Sequence, residues 1–135
     1  MSGPRRGKLA VLAGVVMALA GCGGMPDAAD GGNVTACADG HCEIRVGAGA
    51  QIPVPADFMV FAVGVQTVAS DSVTIVGDDS GDSSSGGCYG GCDGSSNNGS
   101  FTYVLKKDGT GVENGLSVTL EGVDGKHAVL KVAPA

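Results

Sequence analysis

Residues 115–134 read GLSVTLEGVDGKHAVLKVAP, and the turn at their centre sets the fold expected of the chain. Leu116, Val118 and Leu120 alternate with Ser117, Thr119 and Glu121, and Ala128, Leu130 and Val132 repeat the pattern after the turn. This period of two marks half-buried strands. A three-residue loop of Val123, Asp124 and Gly125, with Gly125 left-handed, pairs Gly122 with Lys126. Leu120 then faces Ala128, Val118 faces Leu130 and Leu116 faces Val132. A two-residue Asp-Gly turn would pair Val118 with Lys131 and put a lysine among the inward residues. Because a slip of one residue turns a whole face over, the three-residue loop is preferred.

The same reasoning applied to residues 63–75 gives a loop of Ala69, Ser70 and Asp71, with Val65 opposite Ile75 and Thr67 opposite Val73. Two such hairpins hint at an internal duplication. Working outward, Cys42, Ile44 and Val46 alternate with Glu43 and Arg45, and Gln51 to Val54 is bounded by Pro53 and Pro55, which confines it to a sheet edge. Phe58 to Val68 is apolar on both faces, as expected of a central strand covered on both sides. Ser72–Val76, Phe101–Leu105, Leu116–Glu121 and Ala128–Val132 complete about seven strands. With 25 glycines in 135 residues, a helical bundle is disfavoured, since each glycine costs about 1 kcal/mol in a helix relative to alanine. The expectation is one all-β domain, a small antiparallel β-sandwich or barrel.

Residues 77–100 differ in texture: eight glycines, seven serines, four aspartates and two asparagines surround Cys88, Tyr89 and Cys92. So little apolar surface does not offset the ordering entropy, which predicts a long exposed loop. Its short motifs are incomplete. Asp78, Ser80 and Asp82 have the spacing that opens a calcium loop, but Ser83 replaces the turn glycine and Tyr89 stands where a bidentate glutamate is required. Asp79-Ser80-Gly81 and Gly81-Asp82-Ser83 resemble fragments of serine-hydrolase signatures without the histidine base that a triad needs. The two histidines, His41 and His127, read as solvated surface residues. No catalytic residue, metal ligand or cofactor is expected.

The N-terminus describes an address. Arg5, Arg6 and Lys8 precede the apolar run Leu9 to Ala20, which is too short to span a bilayer and has the build of a secretory signal helix. Leu19-Ala20-Gly21-Cys22 resembles the bacterial lipobox, which implies cleavage after Gly21 and lipidation of Cys22. Two acyl chains give an anchoring that one does not. The Arg5–Arg6 pair also invites a twin-arginine route, but Gly7-Lys8-Leu9 follows where an apolar pair is usual, and the general secretory route is preferred. The chain thus divides into a signal peptide (1–21), a flexible tether (22–36) with a reach of about 20 Å, and a β-domain (37–135). Loss of residues 1–21 leaves five basic side chains against fourteen acidic ones, a net charge of −9. That sign argues against nucleic acid and against electrostatic adsorption to an anionic membrane.

Apart from Cys22, the cysteines are Cys37, Cys42, Cys88 and Cys92, an even number in an exported domain, which reads as two disulfides with three connectivities open. Short-range pairing suits the turn residues between Cys37 and Cys42 and between Cys88 and Cys92. A zinc site made by all four thiolates is the alternative, less suited to an oxidising compartment.

The decapeptide CADGHCEIRV (37–46), taken with the lipobox, the apolar hairpin and the closing segment 115–134, resembles a group of small, glycine-rich actinobacterial lipoproteins. The resemblance implies a lipid-anchored β-domain on the extracytoplasmic side of the cell membrane and transfers no active residues. The expected function is therefore that of a non-enzymatic envelope module contacting a protein or a cell-wall polymer, with Tyr89 as a candidate contact. A small-ligand or metal-binding lipoprotein is the alternative, and an enzyme stands behind both.

Overall fold

The computed structural model describes residues 25–80 and 86–135. The signal segment and Cys22 lie outside the described residues. Ten strands are present among those described: β1 Cys42–Val46, β2 Gln51–Ile52, β3 Val60–Val68, β4 Ser72–Asp79, β5 Gly86–Tyr89, β6 Cys92–Asn97, β7 Ser100–Lys106, β8 Thr110–Glu113, β9 Leu116–Val123 and β10 Ala128–Pro134. They form two five-stranded antiparallel sheets, ordered β1-β10-β9-β8-β5 and β2-β3-β4-β7-β6. The fold is a β-sandwich, not a closed barrel.

Alternation builds the core. Ile44, Leu116, Val118, Leu120, Leu130 and Val132 from the first sheet meet Val63, Val65, Val73, Ile75 and Leu105 from the second, all buried in one cluster. In the closing hairpin Gly125 is left-handed, as expected, with φ of 90°. The register differs from the expected one by two residues: Val118 pairs with Val132 and Leu120 with Leu130. Glu121 is an extra residue in a bulge, and Val123 pairs with Ala128, so that Asp124 opens a longer turn than expected. The Asp124 carboxylate closes that turn, its Oδ1 accepting from the backbone N–H groups of Lys126 and His127 at 2.9 and 2.7 Å. A shift of two keeps every side chain on its face, so the inward set survives while its partners change.

The second hairpin keeps Val65 opposite Ile75, but a bulge at Gln66 sets Thr67 against Thr74. The two hairpins thus share one plan, a bulge followed by a tight turn, and their tips touch: a Cβ on Gly125 would lie 3.8 Å from Ser70 Cα.

Three expectations are corrected. The span 77–100 is not a free loop: β4 extends to Asp79, and β5 and β6 form a hairpin whose first strand pairs with β8 and whose second pairs with β7. Backbone pairing along two established edges supplies the hydrogen bonds that glycine and serine side chains could not advertise. Second, β3 is not covered on both faces; Phe61 is 69% exposed. Third, residues 25–36 are not a loose tether. The Asp30 N–H donates to the Glu43 carbonyl at 2.9 Å and the Arg45 N–H to the Gly31 carbonyl at 2.8 Å. Pro26 packs on Gly122, where a Cβ would collide with its ring. This strap crosses the outer face of the first sheet. Val129, fully buried yet outside the core cluster, lies beneath it between Gly122 and Arg45.

Both disulfides are short-range: Cys37–Cys42 and Cys88–Cys92. The first ties a 3₁₀ turn, Val34–Asp39, to β1, and the second ties the β5–β6 hairpin that joins the two sheets. The four sulfurs therefore do not converge on a zinc site.

Candidate functional site

Polar groups concentrate where β4, β6, β7 and β8 meet at the end of the sandwich opposite the hairpin tips. Glu113 occupies an inward position of β8 and is 3% exposed, and Asp79 at the end of β4 is 5% exposed. The Tyr103 hydroxyl lies 2.9 Å from Glu113 Oε1, to which it donates, and the Ser96 hydroxyl donates to Oε2 at 2.7 Å. Glu113 is also hydrogen-bonded to Asp79. Burial is the main cause that pushes Glu113 up to about 7, and the neighbouring Asp79 adds to it, so the glutamate keeps a proton to near-neutral pH. Burial and the same glutamate push the Tyr103 hydroxyl well above its usual range.

Glycine creates the space for this cluster. A Cβ on Gly86 would strike the Tyr103 hydroxyl and Glu113, and one on Gly111 would press on the Tyr103 ring at 2.9 Å. The void beside Tyr103 and Glu113 is about 10 Å³, near the minimum for one water and far below the size of a ligand pocket. The cluster joins Glu113 of one sheet to Asp79, Ser96 and Tyr103 of the other. Its chemistry is that of a proton-holding cross-sheet clasp.

A second carboxyl pair lies on the outer face under the strap. Glu121, the bulge residue, is hydrogen-bonded to Glu43; burial and this neighbour push it up to about 7, while the bond from Glu121 lowers Glu43. The Ala29 N–H donates to Glu43 Oε1 at 2.9 Å, and Asp30 Oδ2 accepts from the Glu43 backbone N–H at 2.9 Å. The strap is therefore fastened partly through this pair.

Of the residues singled out in the sequence, Tyr89 is 60% exposed and its ring lies along Gly87, leaving one face open beside the disulfide. His41 and His127 are both exposed. His127 and Arg45 line an open cleft of about 550 Å³ between the strap and the first sheet. Asp78 and Ser80 are exposed whereas Asp79 is buried, so the three are not gathered into one site; Gly81, Asp82 and Ser83 lie outside the described residues. Among the described residues no group of three or more His, Cys, Asp or Glu side chains could hold a metal ion. Sequence reasoning missed Glu113, Ser96, Tyr103 and the Glu43–Glu121 pair. A glutamate at an inward position of Thr110–Glu113 was the available signal, hidden because Gly111 breaks the apolar alternation.

Comparison with protein-family models, curated proteins and solved structures returns no match.

Proposed function

We propose that the chain is a lipid-anchored lipoprotein of the cell envelope, held at the extracytoplasmic membrane surface through Cys22, whose β-sandwich is a non-enzymatic interaction module for an envelope protein or cell-wall polymer. The observation that carries this reading is the Leu19-Ala20-Gly21-Cys22 sequence after a basic, apolar leader. The two disulfides of the domain support it, because such bonds persist in oxidising compartments. The buried carboxyl cluster supports a structural role over catalysis, since its void has no room for a substrate. Exposed aromatic side chains offer contact points: Tyr89 on the β5–β6 hairpin and Phe61 on β3, with Met59 just before it.

The test is fractionation of cells producing the wild type and Cys22→Ala. The alanine variant is expected to leave the membrane fraction or to remain uncleaved. Normal cleavage with retention after a high-salt wash overturns the reading. Photo-crosslinking from positions 61 and 89 then identifies the partner, and loss of the adduct in Phe61→Ser or Tyr89→Ser locates its footprint.

A further inference from the structure

The strap ends where the two hairpin tips meet. Met25 and Pro26 lie against Gly122, and the same surface hollow is bordered by Ser70, Asp71, Lys107 and Asp124. Only residues 23 and 24 separate Met25 from Cys22. Three Cα–Cα steps of 3.8 Å place the Cys22 Cα within about 11 Å of the Met25 Cα, whatever path the chain takes. The reach of about 20 Å expected of a flexible tether is thereby halved, and its origin is fixed at one end of the sandwich.

Charge follows the same axis. Lys106, Lys107 and Lys126 lie at the hairpin end, as Lys106 pairs with Ser72 and Lys126 sits in the second turn. Arg45 joins them, 3.6 Å from Asp124. Four of the five basic side chains that follow Cys22 are thus gathered here. Asp27, Asp71, Asp93, Asp108, Glu121 and Asp124 lie at the same end and more than offset them. The opposite end exposes Asp57 and Asp78, with Asp79 and the proton-holding Glu113 buried behind them, and carries, among the described residues, no lysine or arginine. The cations that an anionic headgroup attracts are thus concentrated at the hairpin end.

We infer that the docked strap orients the domain on the bilayer, with the hairpin end against the lipid headgroups and the acidic end, carrying Met59 and Phe61, presented outward. The inference rests on the lipoprotein reading and specifies which face of the module a partner meets: Phe61 and Met59 are presented to it, whereas Tyr89, next to Gly90 and Gly91 that adjoin Asp108 and Lys106, is turned toward the lipid. The occupant of the hairpin end is a lipid surface.

The test uses the full chain, lipidated in a bacterial host and reconstituted into phosphatidylcholine–phosphatidylglycerol vesicles that carry a nitroxide on the headgroup. A fluorescent non-natural amino acid replaces Ser70 in one sample and Asn98 in another. The Ser70 probe should be quenched at least about threefold more strongly, since roughly 25–30 Å of strand separates the two ends. Equal quenching, or stronger quenching at position 98, overturns the orientation. Gly122→Val supplies the second arm, because a side chain there displaces Pro26 from the outer face while the inward core is untouched. The variant should stay on the vesicles and lose the difference between the two probes; a difference that persists shows that the strap does not set the orientation. Mass analysis of the N-terminal peptide separates the two levels. Acyl chains on Cys22 with equal quenching reject the orientation alone, and a peptide without acyl chains rejects the lipoprotein reading and the orientation with it.

Discussion

The two carboxyl pairs differ in what surrounds them. Asp79–Glu113 and Glu43–Glu121 each contain a glutamate held near 7. The first pair is buried between sheets and surrounded by partners, with Tyr103 and Ser96 donating to Glu113 at 2.9 and 2.7 Å. The second lies on an outer face beside Lys131 and the strap, open to solvent on one side. Water and salt screen the outer pair, so a similar proton affinity has a smaller consequence for stability there. The buried pair is a clasp whose loss leaves desolvated polar atoms behind, whereas the outer pair is a fastening for the strap.

The largest expected effect comes from removing the scaffold of the buried pair. Replacing residues 78–98 by a short Gly-Ser turn deletes Asp79, Ser96, β5, β6 and one disulfide, and it should abolish cooperative unfolding in a denaturant melt. A domain that melts normally without them would show that the clasp is dispensable. Next, Glu113→Ala removes the acceptor shared by Tyr103 and Ser96 and the hydrogen bond to Asp79, and should cost about 3 kcal/mol, close to the roughly 2–4 kcal/mol expected of Leu130→Ala in the core. Tyr103→Phe removes one donor and should cost about 1–2 kcal/mol. These values are read from urea melts of the domain without its anchor.

The pH dependence separates the pairs further. Glu113 has a folded value of about 7, above its value of 4.5 in the unfolded chain. The folded state therefore binds the extra proton, and the resulting stabilisation is complete below about pH 4.5 and lost as the pH rises through 7. The decline should amount to about 3 kcal/mol, and Glu113→Gln should flatten it. Glu121→Gln, at the screened pair, should change stability by under about 0.5 kcal/mol and instead alter hydrogen exchange at the Ala29 amide. An equal flattening by both variants would erase the distinction between the pairs.

The strands that sequence reasoning located are those marked by apolar side chains, alternating as in Cys42–Val46 and the closing hairpin or continuous as in Phe58–Val68. The three it missed, Gly86–Tyr89, Cys92–Asn97 and Thr110–Glu113, have glycine or serine where an apolar side chain would announce a face. They are strands because neighbouring edges bind their backbones, and backbone hydrogen bonds carry no residue signature. The buried cluster was hidden for the same reason: Asp79, Ser96, Tyr103 and Glu113 come from four strands, two of which had no visible pattern.

What the sequence by itself determined is the local: an all-β chain, an even set of four cysteines beyond Cys22, the glycine in the last turn, and the inward-facing side chains of the closing hairpin. Those properties follow from period, turn chemistry and spacing, all measured along the chain. The bulges that moved both registers, the pairing of the glycine-serine hairpin and the docking of residues 25–36 across Val129 were decided only by tertiary structure. Each depends on an edge, a cavity or an outer face that exists only once distant strands have assembled, and a two-residue shift of register preserves the very alternation from which the sequence is read.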